Sequence, residues 1–262
     1  MRDSALDVSP RIFAIDWSGA LKGSRKKIWV AEISRGILLR LESGRDRRET
    51  IDYVIESCKN TPEIVVGLDF AFSCPEWFVK SKGRNSIYEF WGLAEEQGER
   101  WMREWPFWSK GKPERQPDGE YRCCEETPHL KPSSVFKLVG AAQVGRGSIR
   151  GMPYLFQLRK NGFSVWRFDS PGWPRVIEIY PRLFTRGIVK SDSNARCAFV
   201  EKYRKQCSTE ALGQAANCDD AFDALVSAFA MSEHLEQLCS LTQSVTPRTL
   251  IEGTIWVPGS SA

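Results

Sequence analysis

Two aspartates close apolar runs: Asp16 ends "RIFAID" and Asp69 ends "PEIVVGLD". Two more, Asp220 and Asp223, stand three apart in "CDDAFDALVSAFAM". That spacing puts both side chains on one face of a helix. If the two apolar runs are parallel neighbours, Asp16 and Asp69 emerge together at the carboxyl edge of a sheet, where open α/β sheets bind ligands. Four carboxylates in one place repel and raise each other's pKa. A hard divalent cation relieves that repulsion, because Mg²⁺ and Mn²⁺ prefer oxygen ligands. Two such ions about 4 Å apart would stabilise the attacking and leaving oxygens of a phosphoryl displacement. Asp16, Asp69, Asp220 and Asp223 are therefore candidate metal ligands for Mg²⁺ or Mn²⁺ and candidate catalytic residues. Glu178, in "RVIEIYP", is a fifth catalytic candidate, which from a strand could face the site or a salt bridge. Glu252, in "EGTIWVP", reads as a solvated turn.

Each of these residues alone has another explanation. Aspartate after a strand suits a turn, and Asp-x-x-Asp at a helix start suits a cap and the helix dipole. The order strand-Asp, strand-Asp, helix-Asp-x-x-Asp in one chain is what selects the metal reading.

From Lys131 to Phe168 there is no acidic residue, while Lys131, Lys137, Arg146, Arg150, Arg159, Lys160 and Arg167 are basic. Such local asymmetry fits a track for a phosphate backbone beside the carboxylates, with Lys137, Arg146 and Arg150 as substrate-binding candidates. A basic helix face neutralised by an acidic helix such as "EFWGLAEEQGERWMREW" is the other explanation. "GAAQVGRGSIRG" lacks the Gly-Lys-Ser/Thr ending of a nucleotide P-loop and reads as a flexible loop between helices.

These residues need elements to position them. "RIFAIDW" is apolar on both faces, as a central strand is. "KKIWVAEIS" and "GILLRLE" read as antiparallel strands, and "PEIVVGLDF" as a further buried strand. Ile51, Val54, Ile55 and Cys58 recur at helical spacing in "DRRETIDYVIESCKN". From Cys74 to about Lys131 the chain carries Trp77, Trp91, Trp101, Trp105 and Trp108 among many charges. This reads as an insertion over one edge of the sheet, with "SIYEFWGLAEEQGERWMREW" as an amphipathic helix and the tryptophans mainly as core. "SSVFKLVGAAQVGRGSIRGMPYLFQLRKNG" reads as helical in parts, stopped by Gly162. "FSVWRF" and "RVIEIYP" read as strands, "SNARCAFVEKYRKQC" as a helix and "TIWVP" as a short final strand. "CDDAFDALVSAFAMSEHLEQL" carries the strongest helical stripe, Phe222, Leu225, Val226 and Phe229, with Asp219 suited to its N-cap.

Residues 1–262, 42% hydrophobic and 27% charged, suffice for one large domain or a domain with an insertion. Net charge is +4, from 37 basic and 33 acidic residues, too mild to name a partner. No apolar leader and no stretch long enough for a membrane span is visible, and the eight cysteines are too dispersed for a disulfide scaffold. A cytoplasmic protein with reduced thiols is expected, with no membrane partner. Two histidines, His129 and His234, argue against a histidine-rich centre.

The element order and the carboxylates resemble the ribonuclease H-like fold. "DAFDALVSA" resembles the last catalytic helix of the Holliday-junction resolvases of that superfamily, Asp-Ala-x-Asp-Ala-Leu, and places Asp220 and Asp223 on its two metal-binding aspartates. More closely, "IDWSGA", "GLDFAFS", "IEIYPRLF", "CDDAFDALVSAFAM" and "EGTIWVP" resemble, in order, domain-of-unknown-function family four-two-nine, described as predicted ribonuclease H-like nucleases. The resemblance spans nearly the whole chain. It implies an α/β fold with a five-stranded mixed sheet flanked by helices and a divalent-metal-dependent nuclease acting on nucleic acid. Typical members of the superfamily carry glutamate at the second carboxylate, where Asp69 is one methylene shorter. A non-catalytic nucleic-acid or protein-binding module that keeps the fold is the alternative expectation.

Overall fold

The computed structural model describes residues 9–59, 61–110, 119–126, 132–140, 143–243 and 246–260. Its strands are β1 (Arg11–Asp16), β2 (Trp29–Ser34), β3 (Ile37–Glu42), β4 (Ile64–Leu68), β5 (Ser164–Val165) and β6 (Arg175–Glu178). They form one mixed sheet in the order β3-β2-β1-β4-β6-β5. The β1–β2 and β2–β3 pairs are antiparallel; β1, β4, β6 and β5 run parallel. The sheet thus has six strands where five were expected. The edge strand β5, within "FSVWRF", is only two residues long. It ends early because Trp166 and Arg167 turn away, Arg167 at a left-handed φ of 73°, and the Asp169 carboxylate accepts from Val165 N.

The helices are α1 (Ser24–Lys27), α2 (Arg47–Cys58), α3 (Glu76–Ser81), α4 (Ile87–Trp101), α5 (Val144–Lys160), α6 (Ser193–Val200), α7 (Thr209–Asn217), α8 (Asp219–Glu233), α9 (Leu235–Cys239) and α10 (Pro247–Glu252). β1 is buried along nearly its whole length, as its unbroken apolar run requires. Phe13 and Ile15 face a layer containing Ile51 and Val54 of α2, Leu155 and Leu158 of α5, and the insertion. Ile12 and Ala14 face Phe222, Leu225, Val226 and Phe229 of α8, the stripe read from the sequence. Within the insertion Trp91 and Trp101 are wholly buried, and Phe90 stacks on Trp101 at 5.2 Å. The tryptophans at those two positions are core. Residues 111–118 and 127–131 of that stretch, His129 and Lys131 among them, lie outside the described residues.

Three local expectations are corrected. α5 begins inside the glycine-rich run read as a flexible loop. Its glycines serve close approach: a Cβ at Gly145 would meet Val135 O at 2.5 Å, and one at Gly151 the Phe70 ring at 2.6 Å. Asp219 is the first helical residue of α8 and not its cap; Cys218 occupies the cap position without a side-chain bond, because α7 ends one residue before it. "TIWVP" pairs with the sheet only through Ile255 beside Glu178. Gly162 stops α5 as expected, at a φ of 86°. All eight cysteines are free thiols. Among the described residues no helix is long and apolar enough to cross a membrane.

Candidate functional site

The register fixes the site. Ile15 pairs with Leu68, and Leu68 with Glu178, so the chain ends β1, β4 and β6 side by side. Asp16 and Asp69 therefore stand side by side at one carboxyl edge, with Glu178 one residue lower on the neighbouring strand. α8 packs across β1 and β2 and brings Asp220 and Asp223 to the same edge. A cleft of about 730 Å³ opens there, lined by all five carboxylates and by Lys27, Arg146, Arg182 and Lys190. β4 can lie so close to α8 because its penultimate residue is Gly67, where a Cβ would meet Met231 Sδ at 2.7 Å.

Burial and mutual repulsion dominate the electrostatics. Asp16 is 8% exposed, and its pKa is raised well above the ordinary value, first by burial and then by Asp69, Asp223 and Asp220. Burial first and Asp223 next push Asp69 up to about 8, against the opposing pull of Lys190. Asp220 rises to about 6, through burial and then Asp219 and Asp223. Asp223 is raised by burial against the opposing pull of Lys190, whose ammonium pairs with its Oδ2. The other Asp223 oxygen, Oδ1, is buried without a hydrogen-bond partner.

Glu178 reaches the edge but is engaged. Its Oε2 accepts from Arg122 Nη1 at 2.8 Å and from Phe72 N at 2.9 Å, and its Oε1 accepts from Arg122 Nη2. Arg122, wholly buried, also pairs with Glu125 at 2.7 Å. Of the two sequence readings of Glu178, the structure displays the salt bridge. Glu252 is not a solvated turn. It is 1% exposed, accepts from Glu76 N at 2.8 Å and Cys123 N at 2.6 Å, and pairs with Arg248 at 3.1 Å.

The basic stretch divides. Arg146, at the start of α5, lines the cleft. Arg150 holds Glu99 of α4 at 2.6 Å and donates to Gly19 O, so it clamps the loop after β1. Arg47 Nη1 completes that clamp on Ser18 O at 3.0 Å and Ala20 O at 2.9 Å. Lys137 Nζ turns to Ser133 Oγ at 3.4 Å and lies outside the cleft lining. Lys27, Arg122, Arg182 and Lys190 belong to the site without having been singled out in the sequence. Arg122, Arg182 and Lys190 are lone cations in loops or short elements, and Lys27 ends the short basic run of Arg25, Lys26 and Lys27, which no carboxylate pattern ties to the site.

Among the described residues the one tight set of ligand atoms, all within 4.8 Å of one another, is Cys218, Asp219 and Asp220 at the rim. Asp16, Asp69 and Asp223 share the cleft floor at wider spacing, with the Lys190 ammonium among them. No protein-family model, curated protein or solved structure matches the chain.

Proposed function

We propose that the chain is a divalent-metal-dependent nuclease or phosphodiester hydrolase of the ribonuclease H-like kind, acting on nucleic acid with Mg²⁺ or Mn²⁺. One observation carries the reading. Asp16 and Asp69, at the ends of neighbouring parallel strands, meet Asp220 and Asp223 from one helix face in a single cleft, and all four have raised pKa values. The donor set suits a hard cation: Asp16, Asp69 and Asp223 offer carboxylate oxygens, one of which, Asp223 Oδ1, is buried and unpartnered. Asp16, Asp69 and Asp223 would hold it. A bound Mg²⁺ or Mn²⁺ supplies Lewis-acid stabilisation of phosphoryl oxygens. Asp220, with a pKa of about 6 at the rim, is suited to take a proton from an attacking water near neutral pH. Lys27, Arg146 and Arg182 on the walls would receive the flanking phosphates. Glu178, tied to Arg122 and Phe72 N, is a positioning residue that fixes the third strand end. The ribonuclease H-like assignment draws support from a β1–β2–β3 antiparallel unit beside parallel β4, together with the motifs that resemble the predicted nuclease family.

The test is a Mg²⁺ and Mn²⁺ titration of the wild type and Asp16→Asn by thermal unfolding, followed by single- and double-stranded DNA and RNA substrates. The expected result is a metal-dependent rise in Tm and a hydrolysed substrate, both diminished in the variant. No rise and no hydrolysis overturns the proposal. A second reading, the non-catalytic binding module, is favoured by the Lys190–Asp223 pair, which gives the carboxylates a counter-ion of the chain's own. Metal binding with no cleavage of any substrate selects it.

A further inference from the structure

Lys190 is held in place from its backbone. Its carbonyl accepts from the Arg196 guanidinium, and Ile188 O, two residues earlier, accepts from Arg182 Nη1 at 3.1 Å. Asp192, two residues later, caps α6 by accepting from Asn194 N at 2.9 Å. The loop is thus tied before, at and after Lys190. Its ammonium pairs with Asp223 Oδ2 and also stabilises the charged forms of Asp16, Asp69 and Asp220. One carboxylate, Asp223, therefore faces two different demands. Its Oδ2 belongs to the chain's own cation, while its buried Oδ1 has no partner.

Two divalent ions do not suit this arrangement. Four ionised aspartates carry four negative charges, and Lys190 returns one positive charge. One divalent ion then leaves a net single negative charge. A second would make the cluster net positive with the ammonium in place, and would restore neutrality only by displacing the ammonium from Asp223. Withdrawing the ammonium would leave the buried Asp223 carboxylate without its counter-ion, which is unfavourable.

We propose that Lys190 is the resident second cation of the centre: the cleft takes a single divalent ion, on Asp16, Asp69 and the free oxygen of Asp223, and the Lys190 ammonium holds the second position. The inference rests on the metal reading of the proposed function. An ammonium offers three donors and no acceptor, so in that position it can serve a phosphoryl or leaving oxygen as well as Asp223.

Mn²⁺ titration by calorimetry, with bound ions counted by electron paramagnetic resonance, tests this on the wild type, Lys190→Met and Lys190→Arg. Circular dichroism establishes that each variant is folded. The wild type should bind one Mn²⁺. Lys190→Met should bind two, or one about tenfold more tightly, because a neighbouring positive charge is gone. Lys190→Arg should bind one, as the wild type does. Two ions in the wild type overturn the proposal even if Lys190→Met does not fold. So does an unchanged number and affinity in folded Lys190→Met, or binding only after Lys190 is removed. Absence of Mn²⁺ binding in all three proteins overturns the metal reading itself, and this proposal with it.

Discussion

Gly19 sets how near the loop after β1 can come to α5. A Cβ there would run into the backbone of Arg146 and Gly147, which cannot swing aside as a flexible side chain can. Gly19→Ala should therefore destabilise the protein by about 1–3 kcal/mol, the usual cost of forced overpacking. It should also weaken the metal response, since Asp16 is three residues away. Urea unfolding of the metal-free protein measures the first effect; an unchanged midpoint would mean that the loop yields freely. At this scale the sequence was informative wherever a residue's neighbours had a pattern. Asp16 and Asp69 were legible because each ends an apolar run, and Asp220 and Asp223 because helical spacing puts them on one face. Lys190 and Arg122 had no such context. Glu252 was misread because turn-like neighbours say nothing of the Glu76 and Cys123 amides that bury it.

Helices and loops divide the basic residues into two jobs, and substitution should separate them. Arg146 lines the cleft, so Arg146→Ala should lower the slope of log affinity for nucleic acid against log salt by about 1. Arg150 is spent on Glu99 and Gly19 O, so Arg150→Ala should leave that slope alone and cost about 1–3 kcal/mol of stability. A slope change at Arg150 and none at Arg146 would reverse the assignment. The segment 119–126 makes a comparable structural commitment. Arg122→Met would leave Glu178 and Glu125 buried without their shared cation, at a cost of about 3–5 kcal/mol by chemical denaturation. Converting Glu178 to Gln in the same chain should recover part of that loss; a loss under about 1 kcal/mol in the single variant would show that the network relaxes. Element type was legible where apolar spacing ran long, as in β1, β4, α2, α4 and α8. It failed at the start of α5, because glycines placed for close helix–loop and helix–ring contact have the composition of a flexible loop. It left α7 unread, whose buried face is short and built of the small residues Ala211 and Ala215.

Over the whole molecule, the sheet carries an apolar layer on each face and gathers Asp16, Asp69, Asp220 and Asp223 at one edge, which ties folding stability to the state of that edge. An aspartate whose pKa is raised in the folded state binds more protons folded than unfolded, between its ordinary value and its raised one. Stability rises with pH only where the unfolded chain binds more protons. Here the inequality is reversed, so the contribution of these groups falls as pH rises. The window runs from the ordinary value of 3.8 to about 6 for Asp220 and about 8 for Asp69. Carboxylates with lowered values, such as Glu99 beside Arg150, act the other way, but only at pH below their ordinary 4.5. The metal-free protein should therefore lose stability from about pH 5 to about pH 8. A divalent ion binds the ionised carboxylates, so its stabilisation grows over the same interval, reaching about 2.7 kcal/mol at a hundred times its Kd. Saturating Mg²⁺ should flatten or reverse the fall. Asp69→Asn removes the group with the widest window, so it should flatten the metal-free fall and blunt the metal effect together. Thermal unfolding at several pH values, with chelator and with Mg²⁺, reads all four conditions. A metal-free Tm that climbs across that interval, unaltered by Asp69→Asn, would mean that burial and mutual repulsion do not oppose the ionisation of these aspartates, and the need for a cation would disappear with that opposition.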